Sequence, residues 1–269
     1  IKYMSQYHDL YLMSINTEKK ITKTQISELK VYCKEVMVFE LSFLTRIFNL
    51  MISIIKQEPL QVGYFYSKTV HKKIKYQINR IKPDWIYSQL IRTAKYSACY
   101  QNNIIDYMDA FSKGIERRIK AFPLLLRPII KRESYVTQKY ESEIFNSFKT
   151  HTIITKNDRG FINHVNRKNI KIIENGVDTE YFKSNQRKKE YDLVFVGNMS
   201  YPPNIEAAIY LCEKVLPIIM KKYKKCKVLI GGTNPHQNIR KLECENVKVS
   251  GWVNDIRDTY SSGKIFVAP

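Results

Sequence analysis

The stretch "IKIIENGVDTEYF", residues 170–182, decides how this chain is divided. Its apolar start predicts a buried strand, and the Asn175-Gly176 pair that follows is a strong turn signal because both residues tolerate positive φ. A hairpin would need a second strand within a few residues, but the polar run "KSNQRKKEYD" comes next. We therefore predict a first domain over 1–178, a linker over 179–191 and a second domain over 192–269.

Strands and helices alternate on both sides of this linker. In the first half, "DWIYSQL" (84–90) and "NIIDYMDA" (103–110) predict strands, and "KTVHKKIKYQINRIK" (68–82) predicts a helix. In the second half, helices separate the apolar runs "DLVFVG", "KVLIGG", "NVKVSG" and "KIFVAP". Strands joined by helical crossovers imply parallel sheets covered on both faces. The predicted fold class is α/β, with two Rossmann-like, doubly wound parallel-sheet domains that face a cleft, the second of them truncated.

The longest apolar stretch, "VMVFELSFLTRIFNLMISII" (36–55), carries three polar residues that a membrane span tolerates poorly, Glu40, Arg46 and Asn49. We predict an amphipathic helix over 42–56 instead, packed on a sheet, with a transmembrane span as the less favoured alternative. The predicted inner side carries Phe39, Phe43, Ile47, Leu50 and Ile54. The predicted outer side carries Ser42, Asn49 and Ser53.

The charge balance is strongly basic, with 45 Lys and Arg against 25 Asp and Glu and a net charge of +20. The densest basic segment, residues 113–140, alternates cations with leucines and isoleucines, a pattern typical of surfaces that meet anionic lipid headgroups. An ordinary solvated face is the more favoured interpretation of the segment, a membrane surface is the second, and nucleic-acid binding is less favoured still. We predict a peripheral contact with an anionic membrane and no nucleic-acid partner.

The five cysteines form no Cys-x-x-Cys pair, so neither a metal site nor a disulfide framework is predicted, and a reducing cytosol is the expected location. Without a G-x-G-x-x-G motif, no dinucleotide cofactor is expected. The chain begins at Ile1 without a methionine and ends on the apolar run "KIFVAP". We therefore expect a fragment that lacks both ends, and no signal peptide is visible.

Three predicted strands of the second half end in motifs that suit a ligand. In "DLVFVGNMSYPPN", Gly197 would allow close backbone approach just before a helix N-terminus, which favours anions. Glycine that only relieves crowding is an equal alternative. "VLIGGTNP" repeats the arrangement at Gly231 and Gly232, and "NVKVSGWVNDI" places Trp252 at a third strand end. That indole would stack a nucleobase or belong to the core.

Taken in order, "IIENGVDTEYF", "DLVFVGNMSYPPNIEAAIYLCEKVLPII", "VLIGGTNP" and "VKVSGWVNDIRDTYSSGKIFVAP" resemble the retaining glycosyltransferases of family 4, which have the GT-B fold. The similarity is greatest to the sugar transferases of exopolysaccharide and protein-sorting gene clusters. "QYHDLYLMSI", "PLQVGYFYS", "NIIDYMDAFS" and "YESEIFNSFKTHTIITKNDRGF" extend the resemblance over most of the chain. It implies that a glycine-rich loop precedes Ile1 and that the E-x7-E region follows Pro269.

The resemblance implies a nucleotide-sugar donor in the second domain and a glycan or lipid-linked acceptor in the first. It assigns donor binding to Gly197, Asn198, Met199, Gly231, Gly232, Trp252 and Val253. The basic residues that the family often places after the first of these strands are missing from "NMSYPPNIEAA". Backbone N–H groups, or the segment expected after Pro269, must then bind more of the phosphate.

In the first domain the family commonly places a histidine where Asp109 stands. Asp106 and Asp109 are the catalytic candidates, and on an extended strand they would point to opposite faces. Arg92 is the acceptor-side candidate, with a surface salt bridge as the alternative. Each aspartate also has an ordinary interpretation as a capping or turn residue.

The implied function is retaining transfer of a sugar to a surface glycan, in the cytoplasm or at the inner face of the membrane. A non-catalytic basic protein that binds RNA or an anionic membrane is the first alternative. A GT-B nucleotide-sugar epimerase is the second. Without the E-x7-E region, residues 1–269 are expected to be inactive alone.

Overall fold

The computed structural model describes residues 1–17, 21–183 and 188–269. The chain divides into two compact units, Ile1–Asn175 (unit 1) and Gly176–Pro269 (unit 2). Every ladder between named strands in the described ranges is parallel, and helices separate strands along the chain. The predicted α/β class with parallel sheets is confirmed. Residues 184–187, within the predicted linker, lie outside the described residues.

Unit 1 contains a two-stranded sheet, β1-β2, and a four-stranded sheet in the order β3-β4-β5-β6. The strands are β1 Tyr11–Asn16, β2 Glu35–Glu40, β3 Ile86–Gln89, β4 Asn103–Asp106, β5 Thr150–Ile153 and β6 Lys171–Ile172. The helices are α1 Lys23–Lys30, α2 Phe43–Ile55, α3 Leu60–Tyr64, α4 Lys68–Ile81, α5 Phe111–Arg117, α6 Arg127–Glu143 and α7 Lys156–Phe161.

Hydroxyl side chains define where several of these helices begin. Ser42, Ser67 and Thr155 accept a first-turn N–H at the starts of α2, α4 and α7, which satisfies donors that a helix N-terminus leaves unpaired. Thr22 and Gln25 form a reciprocal capping box at the start of α1. The apolar pattern of "KVYCKEVMV" (30–38) predicts a strand, but the strand begins only at Glu35, because α1 and the turn after it occupy the first residues.

Helix α4 joins the two sheets of unit 1. Val70, Ile74 and Ile78 are buried along one side of it, and the helix predicted over 68–82 is present as Lys68–Ile81. They pack in one cluster with apolar side chains of three strands: Met13, Ile15, Phe39 and Ile86. One helix therefore covers residues from both sheets.

Helix α2 has the opposite orientation from the one predicted. Its polar stripe faces inward: Arg46 donates to Thr17 O at 2.9 Å and to the Tyr64 hydroxyl, and Asn49 donates to Tyr66 O. Ser53 is 1% exposed. Phe43, Ile47 and Ile54, predicted to pack on a sheet, are exposed. Periodicity identified the two faces correctly, but the polar one forms the contact with α3 and its flanking residues.

Unit 2 is a four-stranded parallel sheet in the order β10-β7-β8-β9. Its strands are β7 Tyr191–Val196, β8 Val228–Gly231, β9 Val247–Gly251 and β10 Gly263–Phe266. Its helices are α8 Pro202–Tyr210, α9 Leu216–Met220, α10 Gln237–Arg240 and α11 Ile256–Ser261. Leu193, Phe195, Val228 and Ile230 of the central strands form the core with residues of the helices.

Helices α8 and α9 are connected by a π-helical turn, Leu211–Val215. Pro217 stands at the start of α9 and has no N–H to donate to the preceding turn. A single π turn within an α-helix is the form in which π-helical structure mostly occurs. In the described part of the chain, no helix combines the length and the apolarity that crossing a bilayer requires.

The inward orientation of α2 predicts the effect of enlarging Gly63 of α3. A Cβ on Gly63 would lie 1.8 Å from Ser53 Oγ, so Gly63→Ala should destabilise the protein by about 2 kcal/mol through overpacking. Adding Ser53→Ala should recover part of that loss. Gly114→Ala is the matched control, since nothing lies within 4 Å of its Cβ position. Urea unfolding curves in which the Gly63 and Gly114 variants lose equal stability would show that this contact is absent.

Candidate functional site

Unit 2 brings the predicted donor residues to one edge of its sheet. Because β7, β8 and β9 are parallel neighbours, the loops that follow them leave the same edge. These loops are bonded to each other through the backbone: Gly197 N–H to Gly231 O at 3.1 Å, Met199 N–H to Thr233 O at 2.9 Å, and Gly232 N–H to Gly251 O at 3.1 Å. In open parallel sheets this is the edge at which ligands bind.

Three glycines in these loops have no room for a side chain. Gly232 has φ +139°, and a Cβ there would lie 1.7 Å from Gly197 O. A Cβ on Gly197 would lie 2.6 Å from Asn204 Nδ2, and one on Gly231 would lie 2.5 Å from Thr259 Cγ2. Relief of crowding, the ordinary interpretation of Gly197, therefore accounts for these glycines. Because these positions have no side chain, the backbone segments at this edge of the sheet lie close together.

The residues after Gly197 differ in what they offer to a ligand. Asn198 is exposed, and its Oδ1 accepts the Ser200 N–H at 3.1 Å and Oγ at 2.8 Å. Met199 is buried, its N–H is bonded to Thr233, and its C=O accepts the His236 N–H at 3.1 Å. Met199 thus packs the loop onto the core.

The N-terminus of α8 has fewer donors than its sequence position suggested. Pro202 and Pro203 have no N–H, and the N–H groups of Asn204 and Ile205 both donate to Tyr201 O. An anion at this edge would therefore depend on the loops more than on the first turn of α8.

Trp252 is 67% exposed, which excludes a core role for it. It follows Gly251, whose φ of +69° turns the chain at the end of β9, and Val253 beside it is half-buried. The indole is thus available at the same strand edge as Gly232.

Sequence reasoning missed Arg257, which lies in α11 after β9. Its guanidinium forms three hydrogen bonds to Asp255, at 2.5 to 3.0 Å, and lies 4.2 Å from the centre of the Tyr181 ring. The charge is therefore largely compensated where it stands. The available sequence signal was the Asp-x-Arg spacing of Asp255 and Arg257 at the start of a helix.

In unit 1, Asp106 ends β4 and is buried. Its carboxylate accepts from the Tyr87 hydroxyl at 2.5 Å, from Thr152 Oγ1 at 3.0 Å and from the Met108 N–H at 3.2 Å. These partners come from both neighbouring strands and the following turn. Asp106 therefore braces three strands, a role that already uses its oxygens.

Asp109 does not lie on a strand. The chain turns at Met108, which has φ +63°, so the expectation that Asp106 and Asp109 point to opposite faces of one strand is wrong. Asp109 reaches solvent. Partial desolvation, reinforced by Asp158, raises the pKa of its carboxyl, and Arg118 and Arg92 oppose that rise.

Arg92 lies after β3 with its guanidinium 4.5 Å from the centre of the Phe65 ring. Desolvation lowers its pKa, and the Asp109 charge counteracts this. Among the described residues, no hydrogen-bond partner reaches its buried Nε. The predicted alternative of a surface salt bridge is not what the side chain forms. Arg92 is a stacked, partly desolvated cation beside the Asp109 turn.

The buried carboxyl of Glu141, on α6, was not anticipated. It accepts the Ser112 N–H at 3.1 Å and the Ser112 hydroxyl at 2.6 Å, at the start of α5. Burial raises its pKa to about 7, with Asp109 adding to the rise and the Ser112 and Phe111 donors opposing it. The signal was the helical spacing of Glu133, Thr137 and Glu141, which are all buried.

No metal centre emerges from the part of the chain that the structure describes, since no three His, Cys, Asp or Glu residues group there as ligands. All five cysteines are free thiols.

Comparison with known proteins gives one family match, over residues 190–269, to a family described as glycosyl transferases group 1. The match spans all three loops of the unit 2 edge and agrees with the resemblance over that stretch. No curated protein sequence matches the chain. Over residues 190–269, unit 2 is thus similar to the group 1 glycosyl transferases.

Two solved structures show a remote similarity. MnaA from S. aureus, in a co-structure with UDP, is 10% identical with a TM-score of 0.43, and 96% of this chain covers 73% of it. MurG from Acinetobacter baumannii is 9% identical with a TM-score of 0.40, and 96% of this chain covers 70% of it. At these values the likeness adds nothing to the description of the fold.

The closeness of Gly232 to Gly197 predicts a large cost for a side chain at this position. Gly232→Ala combines an unfavourable φ with a backbone clash and should destabilise unit 2 by at least about 2 kcal/mol. Gly176→Ala, with nothing within 4 Å of its Cβ position, should change stability by less than about 0.5 kcal/mol. Chemical denaturation followed by Trp252 fluorescence, in proteins that also carry Trp85→Phe, measures both. An unchanged midpoint for Gly232→Ala would contradict the loop geometry.

The raised pKa of Glu141 predicts a pH dependence of stability. An unfolded glutamate has a pKa near 4.3, so the folded state retains a proton that the unfolded state loses. The stabilisation is complete below about pH 4.3 and is lost as the pH rises through about 7. Between pH 5 and 8 the free energy of unfolding should therefore fall less for Glu141→Gln than for the parent. The difference between the two falls should be a few kcal/mol at most.

Glu143→Gln is the matched control, because Glu143 lies on the same helix with its side chain 59% exposed. It should keep the pH dependence of the parent. Urea unfolding at pH 5, 6.5 and 8 measures all three proteins. Parallel curves for Glu141→Gln and the parent would mean that Glu141 is ionised throughout.

Proposed function

We propose that this chain is part of a retaining glycosyltransferase that moves a sugar from a nucleotide-sugar donor to a glycan or lipid-linked acceptor. The observation that carries the proposal is the unit 2 edge, where three parallel strands end in bonded, glycine-bearing loops within the stretch matched by the group 1 family. We place the donor nucleotide there, with Trp252 stacking the base. Gly197, Asn198, Gly231, Gly232 and Val253 complete the proposed donor site, and Met199 supports it from the core.

The chemistry follows from the donor. Transfer breaks the bond between the anomeric carbon and the diphosphate and forms a bond to an acceptor oxygen on the same face of the sugar. Negative charge grows on the departing diphosphate, so catalysis needs preorganised donors aimed at it. The "NMSYPPNIEAA" segment contains no basic residue, and α8 begins with two prolines. The N–H groups of Gly197, Met199 and Gly232 already bond neighbouring loops, so we assign the diphosphate to the other N–H groups of these loops.

We assign the acceptor to unit 1, beside the turn at Asp109. A partly desolvated carboxyl can accept a proton from an acceptor hydroxyl, and the stacked Arg92 provides a cation for an anionic acceptor such as a lipid diphosphate. Asp106 would hold the turn rather than react. We further propose a cytoplasmic location at the inner face of the membrane, where the basic segment 113–140 contacts anionic lipid.

Donor binding predicts protection of three loops from amide exchange. Titration with UDP-, GDP- and ADP-glucose should identify one nucleotide that protects residues 195–199, 230–234 and 251–254, because the nucleotide covers that strand edge. Trp252→Ala should weaken binding about tenfold, as loss of one base-stacking contact does, with an unchanged melting temperature. Tyr210→Ala, a similarly exposed aromatic residue on the outside of α8, is the control.

Protection confined to unit 1, or equal affinity of the Trp252 and Tyr210 variants, would overturn the assignment of the donor site. Product analysis with the bound donor separates transfer from the epimerase alternative. An epimerase changes the sugar of the nucleotide-sugar without releasing the nucleoside diphosphate to a glycan acceptor.

A further inference from the structure

Helix α2 presents an apolar face to solvent that is unusual for a protein surface. Seven of its 13 residues are large apolar side chains between 42% and 80% exposed. Contiguous apolar surface of this kind marks a contact with another molecule or with a membrane. The outer face of α2 is formed by Phe43, Leu44, Ile47, Phe48, Met51, Ile54 and Ile55.

The orientation of α2 is set by its opposite side. Arg46 and Asn49 donate to Thr17 O and Tyr66 O, and Ser53 is buried against Gly63. Turning the outer face inward would break these hydrogen bonds and leave a guanidinium without its partners, which is costly in a buried position. Rotation of the helix therefore cannot bury the apolar face. Burial of this face needs an apolar partner on the solvent side of α2.

A second exposed apolar element precedes α6, the helix that contacts the end of α2. Arg132 of α6 donates to Ile54 O at 3.1 Å, and Glu133 accepts the Leu60 N–H at 2.7 Å. The first turns of α6 are thus held against the C-terminal end of α2. Immediately before α6 is a 3₁₀ turn of three leucines, Leu124–Leu126, of which Leu125 is 91% exposed. We refer to it as the leucine turn.

Most charges beside these two elements are positive, and Glu40, exposed at the end of β2, is the acidic residue that precedes α2. Lys56 ends α2, and Arg117, Lys120 and Lys131 flank the leucine turn with exposed side chains. Of the acidic groups of the segment, Glu116 pairs with Lys113 at 2.8 Å, and Glu133 is buried with an oxygen 3.7 Å from Arg132. An apolar face rimmed by cations matches the boundary between anionic headgroups and acyl chains.

We propose that the outer face of α2, together with the leucine turn, inserts into the headgroup boundary of an anionic bilayer. The inference rests on the membrane contact of the proposed function, and it assigns the inserted residues to α2, outside the basic segment 113–140. In this arrangement the chain lies on the bilayer without crossing it. The cations attract the surface, and the apolar side chains determine which side of unit 1 meets it.

Vesicle co-sedimentation of residues 1–269 tests the proposal, with vesicles of pure phosphatidylcholine or of phosphatidylcholine and phosphatidylglycerol at seven to three. The parent should bind the anionic vesicles at least tenfold more strongly. The triple variant Leu44→Ser, Phe48→Ser, Met51→Ser should bind them at least tenfold more weakly than the parent. Leu125→Ser should show a smaller loss, and Lys120→Glu with Lys131→Glu should remove the preference for the anionic vesicles.

The matched control is Tyr210→Ser with Ile218→Ser, which removes exposed apolar side chains from unit 2 and should change binding less than twofold. Unchanged binding of the triple variant overturns the proposal. A parent protein that binds neither vesicle type also overturns the proposal. If light scattering then shows a parent dimer that the triple variant abolishes, a second copy of the chain covers the face instead. Nucleotide protection in unit 2 is measured on the same proteins, so failure of membrane binding is distinguished from failure of the donor site.

Discussion

Two buried carboxylates on one helix organise unit 1. Glu133 and Glu141 lie eight residues apart on α6, and each accepts a backbone N–H at the start of a short helix, from Leu60 of α3 and from Ser112 of α5. A buried carboxylate is expensive unless it is hydrogen-bonded, and the donors of a helix N-terminus are effective partners for it. Burial raises the pKa of both groups, and in both the N–H bonds oppose the rise.

The two bonds have consequences in different places. By holding α3, Glu133 fixes the surface on which α2 rests its polar stripe. By holding α5, Glu141 fixes the chain that follows the Asp109 turn. Helix α2 and the candidate acceptor site of unit 1 therefore depend on the same 17-residue helix. In unit 2 the equivalent constraint is carried by backbone, since Gly232 and Gly197 allow neighbouring loops to approach more closely than any side chain would permit.

Much of the fold could be predicted from the sequence, because alternating apolar runs and helical stripes determine a parallel α/β arrangement. Strand ends were predicted well enough to bring Gly197, Gly232 and Trp252 to one edge. The face of α2 could not be predicted, since periodicity shows which residues share a face but not which face the rest of the chain covers. Asp106 was assigned as a catalytic candidate and Met199 as a donor-binding residue from their positions alone. Only the structure shows that the Asp106 carboxylate already accepts hydrogen bonds and that Met199 is buried.

The net charge of +20 is spread over many exposed lysines, and a charge spread in this way does not orient a protein on a surface. It attracts an anionic surface from a distance of about a Debye length, roughly 10 Å at 0.1 M salt, but it attracts from every direction. Orientation requires a feature that exists on one side only. The apolar outer face of α2 is such a feature, because its position relative to α3 is set by buried hydrogen bonds rather than by solvent. Electrostatic attraction would thus bring unit 1 to the bilayer, and the apolar outer face of α2 would determine which side of unit 1 makes contact.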